Sequence, residues 1–449
     1  MKRTADVVIC GAGITGIAAA HFLSKAGVEN ILLIDERSPL SLTSDRSTEC
    51  YRNWWPDPEM LALVNRSIDL MERLADESGN VFHMNRRGYL YVTADESKIA
   101  GLRAASERTS GLGAGAMRVH SVEDSSYQPA RPEGYRDQPT GADLLLGNDL
   151  IRKHFPYLTE RAVAALHVRR AGWLSAQQLG MYLLEMGRSC GVRFESARVT
   201  EVGVADGHVN GVKLSTGELV DSPIFINAAG PYLKDVGKLL GVDLPVHTEL
   251  HLKAAIKDPL CVVGRDAPLL IWNDAQDLPW EPEERQALAE DGETSWLTEA
   301  FPSGVHTRPE GAGDDILMLW EYQTKVMEPT WPPAMDEQYP EGALRGLAAM
   351  LPRMRDYFAK MPRPQLDGGY YTKTRENRPL VGPMPVAGAY VIGAVSGYGI
   401  MSGCGVGELL AAHVTGTQLP AYAHAFDLAR YDDADYQKKL QNWGDSGQL

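Results

Sequence analysis

Three glycines near the start of the chain, Gly11, Gly13 and Gly16, stand at the spacing G-x-G-x-x-G and could cradle a pyrophosphate. In that chemistry the first glycine permits a tight turn, the second lets the backbone approach the phosphates, and the third lets a helix pack closely on a strand. Asp35 follows Gly16 at close to the ~20 residues expected of a carboxylate that accepts hydrogen bonds from ribose hydroxyls. A second glycine-rich run, at 396–408, could bring another stretch of backbone against a ligand.

Chemistry of this kind needs elements that hold it. The apolar runs at 6–10 and 30–35 read as strands, and the Ala-rich segment from 14 to about 26 reads as a helix. Its unpaired N–H groups and positive dipole end would face the phosphates. Helical spacing recurs over 58–77 and 177–190, while 87–93 alternates as a strand. Short strands follow at 192–195, 199–202, 211–214 and 223–230. Glycine, proline and polar residues accumulate between 110 and 147, which predicts a mobile surface excursion. Residues 240–365 change character, with many prolines and tryptophans and short strand-like runs, as a separate and mostly β unit would. The strand at 389–394 leads through the second glycine loop into a helix ending near Val414.

Composition narrows the classes. At 449 residues, two domains are the default. A formal net charge of −15 argues against a general nucleic-acid or anionic-membrane binder. The five cysteines are scattered and never spaced as CxxC, so neither a disulfide framework nor a metal site is expected. No run is apolar enough to span a membrane, and MKRTADVV enters a strand directly, which makes a cytoplasmic location the expectation.

The chain resembles the D-amino acid oxidase superfamily of FAD-dependent oxidoreductases, which includes glycine oxidase, sarcosine oxidase and dimethylglycine dehydrogenase. The residues that carry the likeness are the N-terminal glycine motif with Asp35, Gly172-Trp-Leu-Ser, Asn227-Ala-Ala-Gly-Pro231 and the C-terminal block at 396–411. The resemblance implies an α/β fold: a Rossmann-type FAD-binding domain drawn from 1–85, 151–240 and 369–449, and a discontinuous, mostly antiparallel β substrate domain from 86–150 and 241–368. It implies cofactor contacts at Gly11, Gly13, Thr15, Gly16, Asp35, Glu36, Arg46, Ser47, Val199 and Gly230, and at Gly397, Tyr398, Gly399, Ile400 and Met401. Gly369 stands where sarcosine oxidases carry the flavin-linking cysteine, and 36–56 lacks the linking histidine of dimethylglycine dehydrogenases, so non-covalent FAD is expected.

The activity implied is oxidation of an amine by hydride transfer to flavin N5, giving an imine, with O2 or another acceptor completing the cycle. Arg52 falls where sarcosine-type enzymes place an active-site arginine able to clamp a carboxylate. Tyr371 matches a tyrosine over the flavin, and Arg308 is a further carboxylate candidate. His251 and Lys253 either face the flavin or lie on an ordinary strand surface. Trp54, Trp55 and Trp320 could cage a cation or simply pack. Where sarcosine oxidases have a second arginine and a lysine, this chain has Trp55 and Met401, which points to an amine bulkier than sarcosine. Two other readings stay open: oxidation of a 2-hydroxy acid, with His251 as base, and a non-catalytic FAD-bound assembly or scaffold subunit. Neither substrate identity nor oligomeric state is legible.

Overall fold

The computed structural model describes residues 3–322 and 324–444. A six-stranded sheet has the order Arg193–Ser196, Ile31–Asp35, Val7–Cys10, Phe225–Asn227, Ala389–Gly393, Leu380–Pro383. Its first five strands run parallel and the last antiparallel. The inner strands are apolar on both faces, as a parallel sheet covered on both sides requires. This is the doubly wound α/β arrangement expected from the sequence, and its binding crevice lies beyond the carboxyl ends of the parallel strands.

The helices over that crevice are shaped by small residues. Ile14–Lys25 packs against Gly399–Thr415, and the contact leaves no room for larger side chains: a Cβ on Gly407 would lie 2.8 Å from Ala18 C, and one on Gly403 would lie 3.0 Å from Ile14 Cγ1. Helix Pro58–Ser78 closes the other side, with Gly405 N–H donating to Ser67 Oγ at 3.1 Å. That helix begins where Asp57 accepts the Met60 N–H at 2.9 Å and ends at Gly79, whose left-handed φ of 68° suits glycine.

A nine-stranded mixed sheet forms the second layer, in the order Gln365–Lys373, His247–Lys257, Asp315–Leu319, His306–Pro309, Leu269–Trp272, Tyr89–Thr93, Ala164–Val168, Ala142–Leu146, Met117–His120. Most neighbours are antiparallel; the pairs joining Leu269–Trp272 to Tyr89–Thr93 and Met117–His120 to Ala142–Leu146 are parallel. Strand Ala164–Val168 comes from the stretch assigned above to the cofactor unit and hydrogen-bonds into this sheet. The two layers meet at the ribbon of Cys50–Arg52 with Ala171–Trp173.

The region 110–147 differs from the expected excursion. Its ends hold the last two strands of the large sheet, Met117–His120 at the edge and Ala142–Leu146 beside it, and Tyr127 and Tyr135 are buried. Asp143 explains the order: it accepts from Arg118 and Arg169 and contacts His120 at 3.0 Å, tying these two strands together.

Candidate active site

The groove beyond the parallel strands is built from three distant stretches of chain. Gly11–Thr15 and Ser38–Ser44 form one side, Ala228–Pro231 the floor, and Gly393–Gly397 with Ile400 the far end. About 880 Å³ of space lies within it, its solvent-open side included. Gly11 has φ 116°, and a Cβ there would stand 2.3 Å from Ala228 O, so only glycine allows the turn. Gly16 faces away from the groove and packs the helix onto Gly11, whose carbonyl would lie 1.9 Å from an added Cβ.

Two helix N-termini open onto this one groove. The helix Ile14–Lys25 starts at Gly13 and the helix Gly399–Thr415 at Tyr398, neither with a side-chain cap. The Ile14 N–H donates to Ser44 Oγ at 3.0 Å. Uncapped N–H groups and converging dipole ends suit a ligand with negative charge at both ends of an elongated body. Ala394 and Ser396, which line the groove, hold left-handed φ values of 53° and 45°. Such strain is retained where a loop shape serves a site.

Asp35 lines the groove and accepts from the Ala12 N–H at 2.8 Å and the Arg37 N–H at 2.9 Å. Burial raises its pKa against the pull of those two donors. Of the residues expected to hold a cofactor, Thr15, Ser47, Gly230, Gly397, Gly399 and Ile400 also line the groove. Others do not. Glu36 pairs with Arg198 at 3.2 Å, and Arg46 pairs with Asp367 at 3.0 Å. Val199 is buried in a separate four-stranded sheet. Tyr398 and Met401 line a second cavity instead, because the first helical turn rotates them away from the groove.

That second cavity, about 570 Å³, adjoins the groove and shares Tyr371 and Gly397 with it. Arg52, Tyr371 and His251 come together in it. The Arg52 guanidinium lies over the Trp55 ring at 5.3 Å and the Tyr89 ring at 5.7 Å, and its Nε donates to Trp54 O at 3.1 Å. Trp55 is therefore a buried support beneath Arg52 and not part of a cage; of the three tryptophans, Trp320 alone lines the cavity.

His251 is not on an exposed strand surface. It is buried, its ring stacks on Tyr371 at 3.7 Å between centroids, and Gly369 stands directly opposite it across the sheet. The missing side chain at Gly369 makes room for Arg46, whose Cβ would lie 3.1 Å from an added Cβ. His251 Nε2 lies 3.3 Å from Glu249 Oε2 and Nδ1 3.2 Å from Glu321 Oε1. Burial opposes its charge, but the hydrogen bonds with Glu249 and Glu321 prevail and raise its pKa. The phenol of Tyr371 is pushed up by burial and stays neutral.

Arg308 corrects the sequence expectation. It is buried with Nη1 2.5 Å from Glu310 and Nη2 3.5 Å from Glu49, and it donates to the carbonyls of Thr48 and Pro309. It lines neither cavity, so it serves as a structural ion pair. Lys253 is also largely buried, donating to Ser47 O at 2.8 Å, with its pKa lowered by burial.

Glu321 and His306 escaped the sequence reading. Glu321 lies just past the strand Asp315–Leu319, in line with His251, and no motif marks it. His306 lines the same cavity; burial lowers its pKa, and its Nδ1 lies 2.8 Å from Gly304 O. Since a carbonyl only accepts, Nδ1 carries the proton and Nε2 a lone pair. Among the described residues no cluster of metal ligands occurs, and no helix is long and apolar enough to cross a membrane.

A family model for FAD-dependent oxidoreductases of the DAO type matches residues 6–413. The mitochondrial dimethylglycine dehydrogenase of Homo sapiens is 22% identical over 97% of this chain and 45% of its own length. The chain thus spans less than half of that relative. Among solved structures, L-proline dehydrogenase from P. horikoshii superposes with a TM-score of 0.74 at 18% identity, covering 96% of this chain and 99% of that one. Glycine oxidase from Geobacillus kaustophilus gives 0.72 at 17% identity, covering 96% and 98%.

Proposed function

The chain belongs to the DAO family of FAD-dependent oxidoreductases, and from that premise we propose that it oxidises a carboxylate-bearing amine, bulkier than sarcosine, to an imine that water hydrolyses. One observation carries this reading: the cavity holding Arg52 adjoins the groove of the two helix N-termini and shares Tyr371 and Gly397 with it. The groove fits FAD by its own features, since Gly11 and Gly13 keep the backbone clear and the helix N-termini at Gly13 and Tyr398 would face its negative charge, although the Ile14 N–H itself goes to Ser44. Bound there without a covalent link, FAD supplies a two-electron acceptor for the C–H bond beside the amine nitrogen.

The chain's own residues position the substrate. Arg52, fixed over two rings, offers its fork to the carboxylate. Tyr371 and Tyr398 give apolar walls that exclude water, and Met401 fills space that a cation would otherwise occupy. The 2-hydroxy acid reading is disfavoured because it needs a base, and the carboxylates of Glu249 and Glu321 raise the pKa of His251 and so favour its protonated form. The division of the chain into a cofactor unit and a substrate unit follows the two large sheets in this proposal.

The test is spectroscopic. The purified protein is expected to be yellow and to release FAD into the supernatant on acid precipitation. Anaerobic mixing should bleach the flavin rapidly with N-methylated amino acids larger than sarcosine, and slowly with glycine or sarcosine. Arg52→Ala should raise KM about 10–100-fold, the loss of one or two charge-assisted hydrogen bonds. Bleaching by 2-hydroxy acids alone, or by no amine at all, would reject the proposal.

A further inference from the structure

Glu321 lines the cavity, and 36% of its side-chain surface is accessible. One carboxylate oxygen lies against His251 Nδ1; the other has no donor among the described residues. On its far side His251 is shared with Glu249, whose own further partners are Lys373 at 3.1 Å and His247 at 3.4 Å. The row Lys373, Glu249, His251, Glu321 therefore alternates in sign, and its negative end is the end that meets the cavity. His251 keeps Glu321 ionised although burial favours the neutral acid.

The surroundings favour a positive guest. His306, proton on Nδ1, has only a lone pair left to offer. Tyr89, Tyr371, Tyr398 and Trp320 contribute aromatic surface. Arg52 lines the same cavity and supplies the complementary positive group.

We infer that Glu321 is the cation-binding, specificity-determining residue of this cavity, holding the substrate as an ammonium while Arg52 holds its carboxylate. The inference rests on the reading of this cavity as the substrate site. Its chemical class is a zwitterion whose nitrogen arrives charged; neutral amides, alcohols and simple carboxylic acids lack the group that Glu321 reads.

Two probes of the same shape separate charge from fit. Trimethylammonioacetate and 3,3-dimethylbutanoate share a carboxylate and differ in a cationic nitrogen against a neutral carbon. Binding of each to the FAD-loaded enzyme is measured by calorimetry and by the flavin difference spectrum, without turnover. Wild type should bind the cation at least about tenfold more tightly, the scale of a desolvated charge and cation–π contact. Glu321→Gln should bring the two probes within about twofold, whereas Arg52→Met should weaken both alike. Equal binding of the probes to wild type, binding of neither, or a preference that persists in Glu321→Gln overturns the inference. Because the wild-type comparison stands alone, a misfolded variant does not rescue it. Failure of every amine to bleach the flavin would remove the proposed reaction but leave the probe preference to be judged separately.

Discussion

Replacing Gly11 by alanine tests whether the first turn of the groove is set by sterics. At φ 116° a side chain is strained, which costs about 1–2 kcal/mol. The added Cβ would also stand 2.3 Å from Ala228 O, and ordinary contact begins at 3.4 Å, so the floor strand must retreat by about an ångström. Backbone, unlike a long side chain, has little freedom to do so, and overpacking of this kind costs a further ~1–3 kcal/mol. Together about 3 kcal/mol is at stake. An apoprotein that relieves the strain by shifting the loop loses the shape needed for the phosphates, and the FAD Kd then rises about 150-fold. Gly27→Ala is the control: its φ of 87° is also left-handed, but nothing lies within 4 Å of the added Cβ. Apoprotein prepared by acid and salt is titrated with FAD while tryptophan and flavin fluorescence are followed. An FAD Kd within threefold of wild type for Gly11→Ala would refute the argument.

Further outcomes are expected elsewhere. Glu376 is fully buried and accepts from Arg430 at 2.8 Å, Tyr431 at 2.7 Å and Tyr436 at 2.9 Å, so Arg430→Met should destabilise the fold by about 3–5 kcal/mol in urea unfolding; a loss under 1 kcal/mol would contradict that. The raised pKa of His251 makes its stabilisation complete below about pH 6.5 and lost as pH rises through the folded value. The stability gap between wild type and His251→Gln should accordingly narrow from acid to alkaline pH, and a gap that widens would show the sign to be wrong. Gly407→Leu has no space against Ala18 and should yield insoluble or flavin-free protein on expression, whereas Gly101→Leu, with open space, should not.

The glycine turn and Asp35 were legible because their work is local: a strand, a turn and a helix within thirty residues impose the pattern themselves. Arg308 misled because its partners Glu49 and Glu310 reach it through folding, and a lone arginine in a strand looks alike whether it clamps a ligand or a neighbour. The alternation Glu249, His251, Lys253 reads as a solvated strand face, and only the neighbouring layer turns that face inward. Glu321 was invisible for the same reason: its meaning comes from sheet register, which no spacing in one segment records. The two strands within 110–147 were hidden among glycines and prolines, since a short strand next to loops carries little periodicity.

The groove takes one wall from the first fifty residues and another from residues beyond 390. During synthesis, then, the groove cannot be completed until the residues beyond 390 have left the ribosome. Until Ala389–Gly393 arrives, strand Phe225–Asn227 waits with an unpaired edge, a surface on which other chains can dock.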